Sequence, residues 1–406
     1  MDKHYHHLHL ARHLHFSPWL KDEYNDLVIA DTLRHLALAM ISLFIPIFLL
    51  KIGITIKAVV FLELAMCIAS IAMHYFAIRY IPAWGVKRTL VISYILNIVL
   101  YLLLYQAASI FLHVDRTAYL VVIAVFNVSA TVIYWTAHHV YFFKTTTAAN
   151  SGIRAGFING VPVLAGIMSP FLGALLIDEY GFKAMFLASS ALLLAAAGAL
   201  LFSRDIAVGK SNMRLCRILD FEHAGKNLIY FIEGIGFHAI SFFWPILLFL
   251  SDIKLTSIGL LYLFSNLAFS IIGYYSGKFT DRAGNRRMIA IGSLGHGSSV
   301  IMRALAPTVV AMTLWQTMGG IFGSILHVPL EAGFYKFSSR DDYYNAIMNR
   351  ELYMFAGRIF VVIFFLLVLS FTDTVPSAAM IITMVAAGVA TFILSFSARY
   401  DRSIVS

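Results

Sequence analysis

The feature that most constrains this chain is a recurring pattern of apolar stretches, each about 20 residues long, separated by short polar connections. Twenty helical residues rise about 30 Å, enough to cross the hydrocarbon of a bilayer. The pattern predicts membrane helices near residues 31–52, 57–79, 88–112, 118–142, 154–177 and 182–203. A second set is predicted near 227–251, 256–277, 286–306, 309–334, 346–371 and 375–398. Composition agrees, since 60% of residues are hydrophobic and 13% charged, too little charge to cover a water-soluble surface.

The net charge of +9 invites a nucleic-acid reading, which the placement of the charges excludes. Cations gather in alternate connections: Arg79, Lys87 and Arg88, then Lys144 and Arg154, then Arg204 to Lys226. The series continues with the run 278–287, with Lys336, Arg340 and Arg350, and with Arg399 and Arg402. The opposite connections hold only Lys51, Lys57, Arg116, Lys183 and Lys254. This bias places both termini and the central connection on the cytoplasmic side of the cytoplasmic membrane. Cys67 and Cys216 make no disulfide framework, and the N-terminus lacks the pattern of a cleaved signal peptide. Residues 1–25 carry His4, His6, His7, His9, His13 and His15 at irregular spacing, without cysteine or carboxylate partners. They read as a cytoplasmic tail, disordered or lying on the membrane surface, rather than as a metal site.

The two sets of helices are related. Ser42 to Leu50 aligns without gaps on Ser241 to Phe249, with Pro46 on Pro245 at an offset of 245 − 46 = 199. The same offset sets Gly85 to Arg88 on Gly284 to Arg287. A second echo links Phe142 to Lys144 with Phe334 to Lys336. The chain therefore divides into a tail at 1–25, a six-helix unit at 26–203, a linker at 204–226 and a second six-helix unit at 227–400.

Between the predicted helices near 256–277 and 286–306 lies a short charged hairpin containing Gly277, Asp281, Arg282, Gly284, Arg286 and Arg287. Gly277 is small enough for close helix approach, Asp281 suits a helix N-terminus or a basic partner, and Gly284 permits a tight reversal. The spacing G-x-x-x-D-R-x-G-x-R-R resembles the loop signature of the major facilitator superfamily, with every specified position filled. The resemblance implies an all-α polytopic membrane protein of 12 transmembrane helices in two pseudo-symmetric six-helix bundles. It also implies that Asp281 approaches the start of the fifth helix, with Arg154 as partner, in a lock that breaks on inward opening. The first repeat lacks this device, since Pro82 and Ile78 replace the aspartate and the first glycine. Gly156, Gly160, Gly166, Pro170 and Gly173 are similar to the glycine-proline signature of antiporters in the family. Ala165, Ser169 and Ala174 leave that signature incomplete, and close helix packing explains the same residues.

Ionisable groups at membrane depth are costly unless they pair or face a cavity, so each is a site candidate. Arg358, in the middle of the eleventh predicted helix, needs a carboxylate or an anionic ligand; Glu351, Glu233 and Glu331 are the possible partners. It serves either as a structural ion pair or in substrate binding and coupling. If helices are arranged as in the family, Ser42, Asn127, Tyr134, Trp135, His138, Asn159, His238, Trp244, Asn266, Gln316 and His327 contribute to the central cavity. Glu233 is the carboxylate expected to couple protons, and His238 is placed to exchange them. His138 and His139 are expected near the cytoplasmic interface, Glu63 near the outer one, and Asn97 and Arg303 outside the cavity.

No nucleophile–base arrangement, phosphate loop or metal-ligand spacing is apparent, so no enzyme, cofactor or metal site is expected. The expected function is secondary transport of a small organic solute by alternating access, coupled to protons, with efflux favoured over uptake. The expected partners are the solute, protons and the bilayer, the protein acting as a monomer. A lipid or amphiphile flippase, and a non-transporting receptor on the same fold, are the alternatives.

Overall fold

The computed structural model describes residues 23–111, 114–145, 164–201, 223–283, 285–337, 343–372 and 375–396, with residue 162 and isolated positions between 201 and 223. The N-terminal histidine tract, Arg154, Asn159, Gly156 and Gly160 lie outside them. The described chain is helical without a strand: α1 (Glu23–Ile41), α2 (Ile45–Lys51), α3 (Ile56–Trp84), α4 (Val86–Tyr105), α5 (Ala107–Ile110), α6 (Arg116–Thr145) and α7 (Ser169–Leu201). The second part contains α8 (Ala224–His238), α9 (Trp244–Leu250), α10 (Leu255–Ala283), α11 (Asn285–Leu305), α12 (Val309–Phe337), α13 (Tyr343–Phe371) and α14 (Pro376–Phe392).

Among the described residues, ten spans are long and apolar enough to cross a membrane, which makes the chain a multi-pass integral membrane protein. Two of the expected spans are not separate members of that set, each for a physical reason. The stretch Leu164–Leu201 runs as one continuous apolar segment. Gly181, at φ 79 and ψ 171, breaks it into two helical pieces. The other is α11, helical as expected but diluted in hydropathy by glycine, serine, His296 and Arg303.

The repeat seen in sequence is carried into the backbone. Helices α3 and α10 both have 29 residues, and 255 − 56 and 283 − 84 both give 199. The two aligned prolines do the same work. Pro46 opens α2 after a 3-10 turn at Ser42–Phe44, and Pro245 opens α9 after a π-helical stretch at Ala239–Phe243. Proline lacks an N–H and is tolerated in the first turn, so each irregular stretch lets the helix restart beyond it. The chain then turns at Gly53 (φ 86) and at its repeat partner Asp252 (φ 54).

Contacts sort the helices by repeat. In the first, α1 and α4 pack on α7, and α6 packs on α3 and α4; in the second, α8 packs on α13, and α11 and α12 pack on each other and on α14 and α10. Two larger seams join the repeats, α3 with α13 and α7 with α10, and the α2–α9 and α6–α13 contacts add to them. Glycine sets the closest approaches. A Cβ at Gly234 would collide with the Met354 carbonyl, one at Gly357 with the Phe231 carbonyl, and one at Gly173 with the Met40 carbonyl. Gly166 faces His35 in the same way, so these two members of the antiporter-like run are used for packing.

The signature segment departs from expectation. Residues 277–283 continue α10, and Arg286 and Arg287 already belong to the first turn of α11, exposed. Helical residues thus fill most of the expected hairpin, and Gly284 itself lies outside the described residues. Gly277 does not serve close packing, because no described atom lies within 4 Å of a Cβ added there. The side chains of Asp281 and Arg282 and the expected contact with Arg154 fall outside the described residues.

Gly234→Ala is therefore expected to destabilise the α8–α13 contact by about 1–3 kcal/mol, whereas Gly277→Ala leaves stability unchanged. Thermal unfolding of the two variants in one detergent checks both expectations; equal midpoints would contradict the close approach of α8 and α13 at Gly234.

Candidate functional site

The most connected charged site lies where α3, α6, α12 and α13 meet. Glu351, buried on α13, has His74 Nε2 at 3.6 Å, His139 Nε2 at 3.7 Å and Arg350 Nη1 at 3.6 Å. His74 comes from α3 and His139 from α6, so residues of the first repeat hold a carboxylate of the second. His74 and His139 are 1% and 2% exposed, so His139 is enclosed by protein rather than extended toward interface water.

Hydrogen bonding specifies where protons sit. His74 Nδ1 is 2.8 Å from the Ser70 carbonyl, so that nitrogen carries the N–H. Its Nε2 faces the Glu351 carboxylate at 3.6 Å and makes no hydrogen bond among the described residues. His139 Nε2 also lies 3.4 Å from Arg350 Nη1, and its Nδ1 lies 2.8 Å from Tyr335 Oη.

An aromatic layer lies next to this cluster along α6, α12 and α13. Phe142 and Tyr335 have ring centroids 4.0 Å apart, Phe143 lies 5.7 Å from Phe334 and 5.7 Å from Tyr343, and Lys144 sits over the Tyr343 ring. These rings again come from α6 on one side and from α12 and α13 on the other.

Three further clusters surround the first. In the first repeat, Tyr134 donates a short hydrogen bond to Asp31, His138 Nδ1 lies 3.2 Å from the Tyr134 hydroxyl, and the Arg34 guanidinium covers the Tyr134 ring. His138 is buried here as well. In the second repeat, His327 Nδ1 lies 3.3 Å from Glu233 Oε1, beside His296. Glu233, His296 and His327 line a small cleft with Phe237 and Thr391, too narrow for an organic solute in this conformation. The third cluster joins Glu63 and Cys67 of α3 to His238 of α8, with Glu63 Oε1 at 3.6 Å from His238 Nε2. Glu63 thus faces a partner within the protein rather than interface water.

Arg358 stands over the Phe355 and Phe237 rings at 4.4 and 5.2 Å, and its Nε has no hydrogen-bond partner among the described residues. Its charge acts on Glu63, Cys67, His74 and His238. Glu351, expected as a partner, is instead held by His74, His139 and Arg350, and Glu233 by His327. Glu331 is half-buried within reach of the charges of Arg350, Glu233 and His327.

The neutral candidates are placed as follows. Asn127 donates to Met66 Sδ at 3.4 Å and accepts from Thr131 at 3.3 Å. Gln316 accepts from Arg303 at 2.5 Å; Arg303 is itself buried and bonded to Ser299. Trp135 is 42% exposed, Asn266 is half-buried on α10, Ser42 is exposed and Trp244 is buried with the Arg303 guanidinium over its ring. Sequence reasoning missed Asp31, Arg34 and His74; the signal available was their charge inside apolar spans, in the middle of α1 and on α3.

Double-mutant cycles between Glu351→Gln and either His74→Ala or His139→Ala are expected to show coupling of about 0.5–3 kcal/mol in thermal stability. The cycle between Glu351→Gln and Arg358→Gln is expected to be additive. Coupling confined to Arg358 would reverse this pairing.

No family model matches the chain, and no curated protein matches its sequence. Solved structures do match. The human organic anion transporter MFSD10 (TETRAN) superposes with a TM-score of 0.64 at 11% identity, covering 92% of this chain and 98% of that one. FucP, a major facilitator superfamily transporter in the outward conformation, gives 0.63 at 15% identity, covering 92% and 97%. The chain has the fold of the major facilitator superfamily.

Proposed function

We propose that the protein is a secondary transporter of a small organic solute, working by alternating access between two six-helix bundles and coupled to protons. The observation that carries this reading is the buried cluster on Glu351. It draws His74 and His139 from one repeat to a carboxylate of the other. Charged groups far from water stay together only while the repeats remain apposed. Separating them requires a change of charge or access of water, which is the event an alternating cycle supplies.

Dividing α7 at Gly181 and counting α11 brings the spans to twelve, and the contact pattern supports reading them as two bundles of six. The lysine and arginine bias puts the aromatic layer and the Glu351 cluster on the cytoplasmic side. In this reading the cytoplasmic gate is closed. Glu233 with His327, and Glu351 with His74, are the carboxylate–imidazole pairs that take up and release protons.

An anionic solute is the favoured class. Arg358 keeps its charge, offers a donor without a partner among the described residues, and lies at the seam between repeats. The fold neighbour described as an organic anion transporter is consistent with this choice. Efflux follows the antiporter-like run in the fifth helix, although Gly166 and Gly173 are already accounted for by packing.

The test is flux in proteoliposomes under an imposed pH gradient, with organic anions, sugars, amino acids and lipophilic cations offered in turn. The expected result is anion movement that responds to the gradient. Glu351→Gln is expected to abolish the response to the gradient while exchange at equal pH survives, and Arg358→Gln is expected to reduce anion flux at least tenfold. Absence of flux for every solute class, with the protein folded and inserted, would turn the reading to a non-transporting receptor.

A further inference from the structure

Glu63 and Cys67 lie one turn apart on the same face of α3, and His238 ends α8 opposite them. We propose that these three residues form a binding site for a borderline-soft divalent transition metal of the zinc class, joining the two repeats at membrane depth. All three donor atoms lie within 4.8 Å of one another. Glu63 Oε1 is 3.7 Å from Cys67 Sγ and 3.6 Å from His238 Nε2. In a tetrahedral zinc site the corresponding edges are about 3.3–3.5 Å, so these two edges stand a few tenths of an ångström from ligand geometry, with the Cys67–His238 edge within 4.8 Å.

The state of the donors points the same way. His238 is 3% exposed, and its Nε2 has no hydrogen-bond partner among the described residues although it is aimed at the carboxylate. A buried imidazole nitrogen without a partner is costly, and a metal ion satisfies it. The ring cannot turn away easily, because Phe242 stacks on it at 5.2 Å and Phe243 meets its edge at 5.8 Å. Cys67 is 2% exposed, and among the described residues its thiol has only the long hydrogen-bond contact to Glu63.

Sulfur, imidazole nitrogen and carboxylate oxygen together suit zinc and cobalt, and disfavour magnesium and calcium, which take oxygen ligands. The nearby Arg358 does not exclude a cation. Binding releases the Cys67 proton to solvent, and the thiolate and carboxylate then cancel the two charges of the metal. Arg358 therefore faces a locally neutral site. Three protein ligands leave a fourth position for water or an anionic group.

The experiment uses full-length protein in detergent, carrying Cys216→Ser so that Cys67 is the only remaining thiol. Cobalt is the probe, since a thiolate bound to it gives a charge-transfer absorption in the near ultraviolet. The N-terminal histidines bind cobalt without sulfur and are silent in this band. The expected result is a saturable band that zinc removes, absent in Cys67→Ser, with apparent affinity about tenfold or more weaker in His238→Ala and in Glu63→Gln. Zinc is also expected to raise the unfolding temperature of the Cys216→Ser protein but not of the additional Cys67→Ser variant, since a native-state ligand stabilises by mass action. No band at millimolar cobalt would overturn the site. A band unchanged by both the histidine and the glutamate substitutions would also overturn it, leaving a lone thiol that captures metal adventitiously. None of these readouts depends on transport, so failure of the flux test leaves this site standing.

Discussion

The structure depends on the cost of burying charge. Breaking a buried ion pair by removing one partner costs about 3–5 kcal/mol, because the survivor is left uncompensated. At Glu351 that cost is shared across the chain, since its partners come from α3, α6 and α13. Apolar packing in lipid lacks this directionality: hydrocarbon outside a helix is about as apolar as leucine inside, so the hydrophobic effect gives adjoining helices little preference for one another. Glycine contacts fix how closely α8 and α13 approach within one repeat. The polar cluster fixes which surfaces of different repeats face each other.

The repeats use the same device internally. In the first, Asp31 and Arg34 of α1 meet Tyr134 and His138 of α6; in the second, Glu233 of α8 meets His327 of α12. Arg34 and Glu233 are repeat partners at the offset of 199, given by 233 − 34, yet they carry opposite charge. Duplication has thus preserved the place of the buried polar link while its chemistry diverged. The interruptions before Pro46 and Pro245 show the same constancy of place, one built as a 3-10 turn and the other as a π-helical stretch.

Spans and repeat were legible because each is written in local pattern: apolar length, proline position and cation bias. The boundaries of α3 and α10 were not, since Pro82 and the charges near Asp281 read as loop although both helices run on through them. Proline in a last helical turn still leaves most backbone bonds intact, and charged helix ends reach water without ending the helix. Pairing within the site was the least legible layer. Glu351 and Arg358 are one heptad apart and share a helix face, which suggested partnership. Their side chains are instead taken by residues far away in sequence, His74 and His139 for one and the rings of Phe237 and Phe355 for the other. One-dimensional spacing reports which residues share a helix face and is blind to what the facing helix presents.

The placement of charge along the α3–α13 seam bears on how an alternating cycle would proceed. His74 lies 11 residues after Glu63 on α3, near a whole number of turns, so the two share a face about 16 Å apart along the axis. Glu351 and Arg358, on the antiparallel partner, are about 10 Å apart on theirs. The seam therefore carries two charged layers, His74 with Glu351 toward the cation-rich end and Glu63 under the field of Arg358 farther from it. Layers set apart along one seam need not open together in an alternating cycle. The same geometry explains why a metal bridging Glu63, Cys67 and His238 would join the repeats without occupying the gate.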